Sequence, residues 1–73
     1  MFRITNNGDG LSLTFGNGIT ATILIQPNGL AQFAAMNDSG GELSFYPDPS
    51  GKSVNVVHNA SPEQIASMLF NLV

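Results

Sequence analysis

The stretch Leu11-Ser12-Leu13-Thr14-Phe15-Gly16-Asn17-Gly18-Ile19-Thr20-Ala21-Thr22-Ile23-Leu24-Ile25 decides the fold class. From Leu11 to Phe15, apolar and polar residues alternate with period two, the mark of a strand buried on one face. Gly16-Asn17-Gly18 then supplies residues that tolerate positive φ, so the chain reverses there in a tight hairpin. The return strand, Ile19–Gln26, puts Ile19, Ala21, Ile23 and Ile25 on one face. Thr20, Thr22 and Gln26 lie on the other, with Leu24 as its apolar exception.

Similar punctuation recurs on both sides. Asn6-Asn7-Gly8-Asp9-Gly10, Pro27-Asn28-Gly29, Asn37-Asp38-Ser39-Gly40-Gly41 and Pro47-Asp48-Pro49-Ser50-Gly51 separate short segments rich in β-branched and aromatic residues. Turn signals at this spacing indicate antiparallel strands joined by hairpins. The strands expected are Leu30–Met36, Glu42–Tyr46 and Ser53–His58, with Phe2–Thr5 as an additional edge strand. Pro47-Asp48-Pro49 must be a loop, because proline cannot donate to a central ladder. No sequence repeat or low-complexity tract is visible.

The period changes after residue 60. Ser61 can cap a helix, Pro62 suits its first position and Gln64 stands where a capping box needs it. Glu63 in the first turn complements the helix dipole. Ile65, Met68, Leu69 and Leu72 then form one helical stripe, which Ala66, Phe70 and Val73 widen to roughly 200°. Packing on a sheet requires only about 100°. The surplus, chiefly Phe70, reads either as a second contact surface or as a ring folded over the sheet edge.

The expected architecture is α+β: an antiparallel β-meander of four to six strands with one C-terminal helix packed on one face. The 73 residues leave room for a single domain, 1–73. One helix covers one face only. Leu24, Leu30, Ala34 and Met36, with Tyr46 and Val57, are expected on the other, which makes that face an interface candidate together with Phe70.

Composition limits the function classes. The chain is 42% hydrophobic and only 10% charged, which excludes extended disorder. Arg3 and Lys52 are its two basic residues against five acids, for a net charge of −3. Phosphate neutralisation needs more cations, so nucleic acid and anionic membrane surfaces are excluded as partners. No apolar run reaches membrane-spanning length, and no secretory leader is recognisable. Cysteine is absent, which removes disulfides, thiolate nucleophiles and cysteine metal sites. A small, weakly charged chain without staples is expected to gain stability by self-association, most simply as a homodimer.

Chemistry finds little purchase. Gly16-Asn17-Gly18-Ile19-Thr20-Ala21 matches the letters of a dinucleotide fingerprint, but that loop must open a helix, and here it opens a strand. His58 is the lone histidine and has no carboxylate beside it in sequence. Asp9, Asp38 and Asp48 sit in turn contexts, where they bond their own backbone. Asn37-Asp38-Ser39 and Asn59-Ala60-Ser61 have the form of glycosylation triplets. No catalytic residue, metal site or cofactor is expected.

Leu13-Thr14-Phe15-Gly16-Asn17-Gly18-Ile19-Thr20-Ala21-Thr22-Ile23 resembles a small family of phage-encoded proteins of unknown function, which open with a Phe-x-Asn-Gly hairpin before an alternating strand. Ala34-Ala35-Met36-Asn37-Asp38-Ser39-Gly40 is similar to the family's strand ending in an Asn/Asp-rich turn. Ser61-Pro62-Glu63-Gln64 is similar to its Ser/Thr-Pro-Glu-Glu helix start. The resemblance implies a phage gene product in the bacterial cytoplasm and transfers no site residue, since the family has no established activity. The function expected is a non-enzymatic interaction module that self-associates and binds a host or phage protein. The alternative is a small-ligand-binding protein with a pocket between subunits, lined by Tyr46, Phe45, His58 or Asn55.

Overall fold

Four reversals of one design build the sheet. In each, a backbone N–H bonds the carbonyl three residues back: Gly8 to Thr5 at 2.9 Å, Gly18 to Phe15 at 3.1 Å, Gly29 to Gln26 at 3.0 Å and Gly40 to Asn37 at 3.1 Å. Each of these glycines has φ between 71° and 87°, a conformation in which a Cβ is strained. The side-chain carbonyls of Asn17, Asn28 and Asn37 accept backbone N–H groups two residues ahead, at 3.0–3.1 Å.

The computed structural model describes residues 1–46 and 51–73. It contains β1 (Phe2–Ile4), β2 (Gly10–Thr14), β3 (Thr20–Ile25), β4 (Ala31–Met36), β5 (Val56–Ala60) and α1 (Pro62–Leu72). The strands form one antiparallel sheet in the order β1-β2-β3-β4-β5. This is the expected meander with its C-terminal helix. The expected Pro47-Asp48-Pro49 loop lies outside the described residues.

Glu42–Tyr46 is not a regular strand. It makes only isolated bridges, Met36 with Glu42 and Phe45 with Val54. The reason is competition for one edge. β5 pairs with Ala31, Phe33 and Ala34 of β4, leaving only the Ala35–Met36 end, where the Leu43 N–H reaches the Ala35 carbonyl at 2.9 Å. The last strand also lies further along than expected, at Val56–Ala60 rather than Ser53–His58. Val57 turns into the core and Val56 outward, which corrects the expected placing of Val57 on the open face.

β5 is irregular at Asn59, whose φ is 57°, outside the range usual for non-glycine residues. An amide cluster holds it. The Asn59 N–H donates to Gln26 Oε1 at 2.9 Å, and Asn59 Oδ1 accepts from Gln26 Nε2 at 3.0 Å and Asn28 Nδ2 at 3.3 Å. The irregularity turns Ala60 inward three residues after Val57.

α1 begins as the sequence predicts. Ser61 Oγ accepts the Gln64 N–H at 3.2 Å, and Gln64 Oε1 accepts the Ser61 N–H at 2.8 Å, a complete capping box. At the far end, Asn17 Nδ2 donates to the Leu72 carbonyl at 2.8 Å, satisfying one of the carbonyls a helix leaves open. The same asparagine therefore closes the β2–β3 turn and ties down the helix end.

The helix lies on a floor of small residues. The core cluster is Ala21, Phe33, Ala35, Val57 and Ala60, with Ile65, Met68, Leu69 and Leu72 of α1 packed against it. Phe33, the largest fully buried side chain, meets Phe45 edge-on with ring centroids 5.3 Å apart. No residue of α1 is fully buried.

Candidate functional site

Register assigns the side chains to two sheet faces. Side chains directly opposite in an antiparallel ladder share a face. One row therefore runs Ile4, Leu11, Ile23, Phe33, Val57, and a second runs Phe2, Leu13, Ala21, Ala35. Both lie on the helix side, because their β3–β5 ends form the core under α1. Val57 and Phe33 of the first row are buried, whereas Leu11 is 38% and Ile4 73% exposed. α1 covers the β3–β5 half of this face and leaves the β1–β2 half open.

Along one flank of the helix, above β3 to β5, runs an apolar groove of about 320 Å³, lined by Ile23, Ile25, Ala31, Ile65, Ala66 and Leu69 among others. Phe70 and Val73 stand four residues after Ala66 and Leu69, so they continue the same helical flank. Phe70 is 78% exposed, so its ring does not fold over the sheet edge.

The opposite flank of α1 borders a more polar cleft of about 350 Å³. Gln64, Ser67 and Asn71 form its helical side, and Ser44, Phe45, Tyr46 and Val57 are on the other. Gln64 Oε1 is committed to the capping box. His58 and Asn55 do not line this cleft; Asn55 instead reaches the Leu43 carbonyl at 3.4 Å.

The second sheet face carries no helix. Its rows are Arg3, Ser12, Thr22, Ala34, Val56 and Thr14, Thr20, Met36. Leu24 sits there opposite Gln32, and strand alternation from the buried Ala31 places Leu30 on the same side. The Thr14 and Thr20 hydroxyls bond at 3.0 Å. A shallow depression of about 130 Å³ lies between Thr22, Leu24, Gln32, Ala34 and Val56.

The six interface candidates thus fall on three surfaces. Leu24, Leu30, Ala34 and Met36 share the helix-free face, interleaved with hydroxyl and amide side chains. Tyr46 borders the polar cleft, and Phe70 stands exposed on α1, one turn beyond Ala66 of the apolar groove. The β1–β2 half of the helix side adds a further exposed apolar group, Phe2, Ile4 and Leu11, which sequence reasoning missed. Its signal was present in Phe2 and Ile4, which alternate with Arg3, but only the register with β2 shows that they extend the core rows.

Among the described residues, no three His, Asp or Glu side chains come together to hold a metal. His58 is exposed on β5. No helix is long and apolar enough to cross a membrane. No protein-family model matches the chain, nor does any curated protein or solved structure.

Proposed function

We propose that this protein is a non-enzymatic interaction module, a phage-type accessory protein of the bacterial cytoplasm that self-associates and binds a protein partner through apolar surface. The observation that carries the reading is the disproportion between core and exposed apolar surface. Among the described residues, the buried side chains larger than alanine are Phe33 and Val57, beside Ala21, Ala31, Ala35 and Ala60, and the larger apolar residues packed around them are only partly buried. Phe2, Ile4, Ile25, Phe70 and Val73 are each more than half exposed. The total exposed area is 4971 Å², against about 4,300 Å² for a typical folded monomer of 7.7 kDa.

Association would bury that excess and supply stability that the small core lacks. The test is thermal denaturation across a hundredfold range of protein concentration. An associating chain melts at higher temperature as concentration rises, by mass action. A melting temperature independent of concentration, with a monomer mass by sedimentation, would refute self-association.

One observation favours a second reading. The polar cleft presents neutral hydrogen-bonding groups, Ser44, Gln64, Ser67 and Asn71, beside the rings of Phe45 and Tyr46, a lining suited to a small uncharged ligand. A rise in melting temperature with a member of a metabolite panel, abolished by Ser67→Leu, would support ligand binding. No shift across the panel would count against it.

A further inference from the structure

We propose that the open β1–β2 half of the helix side is covered by α1 of a second copy of this chain, about a two-fold axis lying between the two helices. This deepens the self-association reading and rests on it.

The first argument is width. Neighbouring strands lie about 4.8 Å apart, so five strands span roughly 19 Å. Helices pack side by side at about 8–10 Å. One face of this sheet therefore holds two helices, and the chain supplies one, over the β3–β5 half. The vacant strip above β1 and β2 has the width of a helix.

The second argument is chemical continuity. Ile4 and Leu11 belong to the same cross-strand row as Phe33 and Val57, and Phe2 to the row of Ala21 and Ala35. The vacant strip is thus a continuation of the core surface rather than a separate patch. No charged side chain interrupts either row. Asp9, Asp38 and Glu42 lie in or beside the turns, and Arg3 lies on the other face.

The third argument is area. Phe2, Ile4, Ile25, Phe70 and Val73 are exposed by between 59% and 78%, and Leu11 by 38%. Aromatic side chains offer about 150–250 Å² each and aliphatic ones no more, so together they leave at most on the order of 600–1,000 Å² open per copy. A stable interface of standard size takes about 800 Å² from each partner.

The two-fold arrangement makes the surface self-complementary, as an isologous dimer requires. The sheets face one another with both helices in the layer between them. Each α1 keeps its own sheet beneath Ile65 and Leu72, and turns Phe70 into the groove of the other copy. Ala66 leaves room where the helices approach.

The experiment has two arms. The first replaces Phe70 with p-benzoyl-phenylalanine, irradiates the full chain, and maps the intermolecular cross-link by mass spectrometry. Cross-links to β1, β2 or Ile25 of the other copy are expected. Cross-links to Leu24, Ala34 or Met36 would overturn the assignment. The second arm compares dimer dissociation constants by sedimentation equilibrium. Phe70→Gln, at an exposed position whose loss leaves the monomer's core intact, is expected to weaken the dimer at least about 30-fold. Met36→Gln, on the helix-free face, is expected to stay within about 3-fold of the parent. The reverse order would assign the interface to the helix-free face, with self-association standing and this inference failing. A parent chain that stays monomeric at millimolar concentration would remove both, and leave the strip to a partner of another sequence.

Discussion

Gly10→Ala should be among the most damaging single-methyl additions to this chain, although Gly10 sits in a turn-rich stretch where an alanine looks harmless. Gly10 opens β2 opposite Leu24. A Cβ built there would stand 1.9 Å from the Ile23 carbonyl oxygen and 2.8 Å from Leu24 Cα. Both atoms are backbone, so no rotamer change relieves the clash. Carbon and carbonyl oxygen approach comfortably only to about 3.3 Å, so β2 and β3 must separate by more than about 1 Å locally. The bonds at risk flank the Gly10–Leu24 pair in the β2–β3 ladder: Ile25 N–H to the Asp9 carbonyl at 2.7 Å on one side and the Leu11–Ile23 pairing on the other. Two such bonds, at about 1 kcal/mol each, with some residual strain give a loss of about 2–3 kcal/mol. In a domain of this size that lowers the melting temperature by about 10–20 °C.

Gly16→Ala is the matched control. Nothing lies within 4 Å of its Cβ position, and its φ is outside the left-handed region. It should leave stability unchanged or raise it by about 0.4–1 kcal/mol, through the unfolded chain's lost freedom. Thermal denaturation followed by circular dichroism, at one protomer concentration for all three proteins, reads both effects. A Gly10→Ala variant melting within about 2 °C of the parent, or falling no further than Gly16→Ala, would refute the close approach of β2 to β3.

Ser61→Ala removes the hydroxyl that caps α1 and should cost about 1 kcal/mol, read as a lower urea midpoint at unchanged slope; an unchanged midpoint would show that the capping box adds nothing here. Asn59→Gly keeps the positive φ at no steric cost and loses the amide bonds to Gln26 and Asn28. Asn59→Ala loses the same bonds and adds the left-handed penalty of about 1–2 kcal/mol. The alanine variant should therefore be the less stable of the two in denaturant titration, and the opposite order would refute the reading of Asn59 as a conformational device.

The parts of the fold legible in the sequence are those written in neighbouring residues. Asn17-Gly18 and Asn28-Gly29 specify turns by side-chain bonding and φ, and Ser61 with Gln64 specifies a helix start. Period-two alternation marks β2 and β3 for the same local reason. What escaped reading depends on distant partners. Glu42–Tyr46 has a strand's pattern, yet β5 occupies the edge of β4 that it would need. Val56 and Val57 are equally apolar, and only the pairing of Val57 with Phe33 decides which turns inward. Asn59 resembles any loop asparagine until Gln26, 33 residues away, is found holding it. The open apolar strip was hidden in the same way, since Phe2 and Ile4 acquire meaning only through their register with Leu13 and Leu11.

The alanine floor connects these features to function. Ala21, Ala35 and Ala60 are buried beneath residues of α1 that are themselves only half-buried. A floor of such small residues removes few methylene groups from water there. Larger residues would not improve the contact. A leucine at position 35 would need volume that α1 already fills, and overpacking of that kind typically costs about 1–3 kcal/mol. Phe2, Ile4 and Ile25 of the sheet and Phe70 of α1 stay more than half exposed beside that contact. On a solitary domain that distribution leaves apolar surface in water without gain. On a self-associating module it places the main hydrophobic gain at the contact between chains, so that folding and assembly draw on the same face of the sheet.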